Sequence, residues 1–127
     1  MPSKPGVYLI DTDVVSSVRK RDKADPGVGR FFREAADQGH DVYLSVVTVG
    51  ELRRGVELIR YRGDILQADR LDAWLTDVLD RYRHDILAFD IDAAQVWGRL
   101  RVPQPAHEID KQIAAIALVY DLTLVTR

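Results

Sequence analysis

The chain has 127 residues, 46% hydrophobic and 30% charged, with a formal net charge of -2. That length and apolar content fit one domain, residues 1–127, around a single core, while the near-neutral balance excludes the overall basic body of an unaided duplex binder, so any nucleic-acid contact must be local. Cysteine is absent, which removes disulfide frameworks, thiolate catalysis and cysteine-bound zinc, and agrees with a reducing compartment.

The first apolar run, Val7 to Ile10, is rich in β-formers and reads as a strand buried on both faces. It ends at Asp11, too short for a signal-peptide core, and no later run reaches the roughly 18 residues of a membrane span; the protein reads as soluble and cytoplasmic. Pro26 to Gln38 carries Phe31, Phe32, Ala35 and Ala36 at helical spacing between a proline and Gly39, the punctuation of a helix. Val42 to Val47 repeats the buried-strand composition, and Thr48 to Arg60 follows as a helix with Leu52, Val56 and Ile59 on one face. Beyond Gly63, Ile65, Leu71, Trp74, Leu75, Val78, Leu79 and Tyr82 line one side of a long helix. Ile86 to Phe89 reads as a short strand and about Asp92 to Leu100 as a helix stopped by Pro103 and Pro105. An apolar helix from Ile109 to Tyr120 then leads into a last strand, Leu122 to Thr126. Strands apolar on both faces, alternating with helices, predict a three-layer α/β/α domain with a mostly parallel central sheet.

In such sheets, sites form where strands end and loops leave for helices. Asp11 directly follows the first strand, Glu51 lies four residues after the second, and Asp110 opens the helix before the last. Brought together, three carboxylates repel and raise one another's pKa unless a cation joins them. A hard divalent ion, Mg²⁺ or Mn²⁺, suits oxygen ligands and assists phosphate-ester hydrolysis by polarising a phosphoryl oxygen. Each acid also has an ordinary structural reading. Asp11 and Asp13 read as helix N-caps, Thr48 to Glu51 as a capping box, Asp110 as a first-turn acid that complements the helix dipole, and Asp90 and Asp92 as caps without chemistry. His40, His84 and His107 have no ligand spacing and read as surface. Trp74 and Trp97 read as packing more than base-stacking, though Trp97 could also face a partner. Arg19, Lys20, Arg21, Arg53 and Arg54 read as a solvated face that could also guide phosphates.

The stretches "YLIDTDVVS", "YLSVVTVGELRRGVELIR", "DKQIAAIAL" and "LTLVTR" resemble, in order and spacing, the PIN-domain ribonucleases, most closely the VapC/FitB-like toxins of bacterial type II toxin–antitoxin systems. The resemblance implies a Mg²⁺- or Mn²⁺-dependent endoribonuclease acting on RNA, a homodimer, inhibited by a cognate antitoxin. By motif it makes Asp11, Glu51 and Asp110 both the catalytic and the metal-binding acids. Asp13 departs from the family's more frequent asparagine. The family's last acid would follow "LTLVTR", beyond the end of this chain, so weak metal affinity and reduced or lost cleavage are expected of the 127 residues. Two rival readings stand beside this one. The D-x-D after an apolar strand also resembles the nucleophile motif of haloacid dehalogenase-like phosphatases, with Asp11 phosphorylated, Asp13 as acid/base and Ser45 holding phosphate. The fold could instead serve as a non-catalytic antitoxin-binding module.

Overall fold

The computed structural model describes residues 6–19, 26–39 and 41–126, the side chains at positions 18, 19, 26–29, 32 and 36 excepted. Strands β1 (Val7–Ile10), β2 (Asp41–Ser45), β3 (Ile86–Leu87) and β4 (Thr123–Val125) alternate with helices α1 (Thr12–Arg19), α2 (Pro26–Gln38), α3 (Val46–Tyr61), α4 (Ile65–Arg81), α5 (Ile91–Leu100) and α6 (Glu108–Val119). The sheet has the order β3-β2-β1-β4 and every pairing is parallel. This is the α/β/α architecture expected from the doubly apolar strands.

Successive side chains of a strand point to opposite faces, and the strands use this alternation to build two cores. Ile10, Val42, Leu44, Ile86 and Val125 pack on one face with residues of α1 to α4. Leu9, Tyr43, Leu87 and Leu124 pack on the other, chiefly with Ala93 of α5 and Ile113, Ile116 and Ala117 of α6. Tyr8 meets Phe31 edge-on at 5.0 Å, which docks α2. Gly39 and Gly63 have φ of +67° and +94°. Both follow helix ends, where this left-handed geometry closes the last turn at little cost without a Cβ.

Several boundaries differ from the sequence expectation. Strand β2 stops at Ser45 rather than Val47, because the fully buried Ser45 hydroxyl accepts the Thr48 N–H at 3.0 Å and starts α3 early. The expected capping box is therefore not the one present: Thr48 is inside the helix and Glu51 is clear of its end. Strand β3 has two residues rather than four. Helix α5 starts at Ile91, since the cap is Asp90, which accepts the Ala93 N–H at 3.0 Å, and Asp92 is a first-turn acid. Helix α1 had no assigned range in the sequence reading. Among the described residues no helix is long and apolar enough to cross a membrane.

Candidate functional site

The chain runs from β1 outward through β2 to β3 and returns on the opposite side of β1 as β4. The direction of winding therefore reverses between β1 and β4, and at such a point the loops leaving adjacent strands part and open a crevice at their carboxyl ends. Asp11 stands at the head of that crevice, its backbone N–H extending the ladder to the Val125 carbonyl at 3.1 Å.

Asp11, Asp13, Glu51 and Asp110 line one cleft of about 170 Å³ together with Thr12, Ile109 and Ile113. A second hollow, also lined by Asp11, Asp13 and Asp110, reaches Leu124 and Thr126 at the end of β4. The three acids proposed from sequence are thus gathered on one cleft, and Asp13 joins them. Asp11 is also the N-cap of α1, accepting the Val14 N–H through Oδ1 at 3.0 Å. The cap is Asp11 and not Asp13, which sits exposed in the first turn of the helix. Capping uses one carboxylate oxygen and leaves acceptor capacity on the other, so the two readings of Asp11 are compatible.

The electrostatics are those of uncompensated anions. Burial pushes the Asp11 carboxyl above its ordinary value, and the negative charges of Asp13 and Asp110 push the same way, while the backbone N–H groups of Val14 and Asp13 oppose them. No ion pair among the described residues involves any of the four acids. Among the described residues no three acids or histidines stand close enough to hold an ion by themselves. Carboxylates spaced in this way fit only an ion that keeps much of its own water, as a hard divalent cation does when it takes one or two carboxylates directly. Glu51 approaches from the second turn of α3, Asp11 from the end of β1 and Asp110 from the first turn of α6.

A buried hydroxyl chain that sequence reading did not assemble ties two of these elements. Thr48 Oγ1 accepts from Ser45 Oγ at 3.1 Å and from Thr12 Oγ1 at 3.2 Å. It links the residue after Asp11 to the helix that carries Glu51, and Ser45 and Thr48 are both fully buried. The signal available was two hydroxyl residues three apart at the end of an apolar strand. Burial also removes Ser45 from the phosphate-holding role of the phosphatase reading. Arg53 is committed to Asp72 at 3.1 Å and Glu57 at 3.4 Å, whereas Arg54 is exposed. The side chain of Arg19, and Lys20, Arg21 and His40, lie outside the described residues. His84 and His107 are exposed, as expected.

Beside the acidic cleft runs an apolar furrow between α1, α3 and α4. It includes Leu52, Val56, Leu71 and Trp74 and shares Thr12 and Glu51 with the cleft. A second hollow, which shares Trp74 with the first, is lined by Val15, Val78 and Tyr82.

The chain is 37% identical to toxin FitB of Neisseria gonorrhoeae over 128 residues, 95% of this chain and 87% of that one. It is 30% identical, with the same coverage, to plasmid stability protein StbB of Pseudomonas syringae pv. tomato. The crystal structure of FitAcB from Neisseria gonorrhoeae matches with a TM-score of 0.76 at 32% identity, covering 94% of this chain and 86% of that one. VapBC2 from Rickettsia felis, bound to a DNA fragment from its promoter, matches with a TM-score of 0.73 over the same shares at 21% identity, a likeness of fold. The sequence pattern of the PIN domain is matched from residue 8 to residue 127, a span that takes in all of the sheet but Val7 and every acid of the cleft, and the chain belongs to the PIN-domain family.

Proposed function

We propose that this chain is the toxin of a type II toxin–antitoxin pair and a Mg²⁺- or Mn²⁺-dependent endoribonuclease. The observation that carries the proposal is the cleft at the carboxyl ends of β1 and β4 on which Asp11, Asp13, Glu51 and Asp110 converge without a counter-charge among the described residues. Its likeness to toxin FitB and to the FitAcB structure supports the toxin assignment. Asp11, Glu51 and Asp110 would surround the ion, one or two of them bound directly and the rest through its waters, and Asp13 adds negative potential at the rim. When bound, a divalent ion polarises a phosphodiester oxygen and favours attack by water. The protein's own part is to orient Asp11 through its cap on α1, to set Glu51 against Asp11 through the Thr12–Thr48–Ser45 hydroxyls, and to flank the acids with Ile109 and Ile113.

The partner proposed is an antitoxin whose apolar helix lies in the furrow past Trp74 and whose following segment reaches the cleft across Thr12 and Glu51, the two residues that furrow and cleft share. Helix-in-groove docking of this sort reads as apolar anchors at helical spacing.

Incubation of the purified chain with RNA, with Mn²⁺ or with excess EDTA, tests the reading. Cleavage that requires the metal and disappears in Asp11→Asn is expected. Equal cleavage in EDTA, or by Asp11→Asn, overturns the metal-dependent mechanism. Growth arrest that persists on expressing Asp11→Asn would assign the chain instead to non-catalytic binding.

A further inference from the structure

Helix α6 enters the cleft with its first turn, yet that turn has no side-chain cap. Asp11, Ser45, Asp64 and Asp90 each accept an N–H at the start of α1, α3, α4 and α5. The residue before α6 is His107, with φ of 60°, and it makes no such bond. An uncapped first turn is the part of a helix most prone to fray, and here it holds Asp110.

Neighbouring groups grip it instead. The Trp97 indole Nε1 donates to the Glu108 carbonyl at 3.2 Å. The Arg101 guanidinium pairs with Glu108 Oε1 at 3.0 Å and lies 4.6 Å from the Trp97 ring centre. Phe89 abuts the same indole edge-on at 5.9 Å, and Lys111 Nζ donates to the Gln104 carbonyl. Backbone and side-chain contacts thus hold positions 108 and 111, on both sides of Asp110. The ion pair is surface-exposed, and pairs of that kind contribute little to global stability. The indole hydrogen bond fixes a single carbonyl orientation, so its effect is on geometry.

We propose that Trp97 and Arg101 are positioning residues for the acidic site, a clamp from the end of α5 that holds the uncapped first turn of α6 from outside and sets the place of Asp110 for metal. The proposal rests on the metal-site reading above and concerns residues that touch neither metal nor substrate.

The sign of one substitution separates positioning from plain electrostatics. Arg101→Met removes a positive charge near an anionic cleft, and Coulomb's law alone then predicts tighter cation binding. Loss of the clamp predicts weaker binding. Mn²⁺ affinity of the full chain is measured by titration calorimetry, alongside the melting temperature in EDTA. Trp97→Phe, which keeps an aromatic ring and deletes the donor, and Arg101→Met are each expected to weaken Mn²⁺ binding about tenfold, the lower end of what loss of an outer-shell contact costs, with the melting temperature in EDTA little changed. The charge-reversed pair Arg101→Glu with Glu108→Arg is expected to recover part of the loss seen in Arg101→Glu alone. Asp110→Asn is the control. If it abolishes Mn²⁺ binding while Trp97→Phe and Arg101→Met bind as the parent or more tightly, the clamp is refuted and the metal site stands. If Asp110→Asn binds Mn²⁺ unchanged, the site reading fails and the clamp falls with it.

Discussion

Thr48→Val tests the hydroxyl chain that joins Asp11's element to Glu51's. Valine has nearly the shape of threonine, so packing at this fully buried position is kept and the hydroxyl alone is lost. Two hydrogen bonds go with it, from Ser45 at 3.1 Å and from Thr12 at 3.2 Å. Thr12 lines the open cleft, so its hydroxyl can turn to water and loses little. Ser45 is fully buried, so its O–H is left without an acceptor, at about 1–3 kcal/mol. A net loss of about 2 kcal/mol is expected, a fall of roughly 8 °C in melting temperature at about 4 °C per kcal/mol for a domain of this size. Calorimetric melting in EDTA measures it, with Thr48→Ser as the variant that keeps the hydroxyl. Ser45→Ala removes the donor as well as the cap, so the double variant should lose clearly less than the sum of the two single losses. Parent-like stability of Thr48→Val, together with strictly additive losses, would refute the coupling.

Two further outcomes follow from the same geometry. Asp11→Asn keeps an acceptor for the Val14 N–H and removes a charge that burial, Asp13 and Asp110 all disfavour, so in EDTA at neutral pH it should melt no lower than the parent although cleavage is lost. The parent's Asp11 pKa is raised, so its folded state takes up a proton more readily than the unfolded chain. The penalty of ionised Asp11 is fully present above the folded pKa and vanishes as pH falls below the ordinary value of 3.8. The two proteins should therefore converge in stability on acidification, and an Asn advantage that grows toward low pH would contradict the assignment. Leu75→Ala empties a fully buried position in the core of α4 and should cost about 2–5 kcal/mol in urea unfolding, whereas Leu66→Ala, 64% exposed on the same helix, should stay within about 0.5 kcal/mol.

The sequence by itself determined the layers. Strands apolar at every position, such as Val7 to Ile10, can be buried only between two helical layers, and that local pattern is enough to imply the parallel sheet and to draw attention to the acids at strand ends. Helix starts were less legible where two capping residues competed. Ser45 over Thr48, Asp90 over Asp92 and Asp11 over Asp13 were decided by which side chain the folded backbone leaves within 3.0 Å of an orphan N–H, and hydroxyl and carboxylate residues a few positions apart carry the same local propensity. Only tertiary structure decided that β4 returns beside β1, which brings Asp110 to Asp11 across almost a hundred residues. It alone decided, too, that Thr12, Ser45 and Thr48 form one buried chain and that Trp97 reaches Glu108. Apart from the local Ser45–Thr48 bond, these are contacts between polar groups of separate elements, whose pairing depends on where those elements meet and not on any periodicity within them.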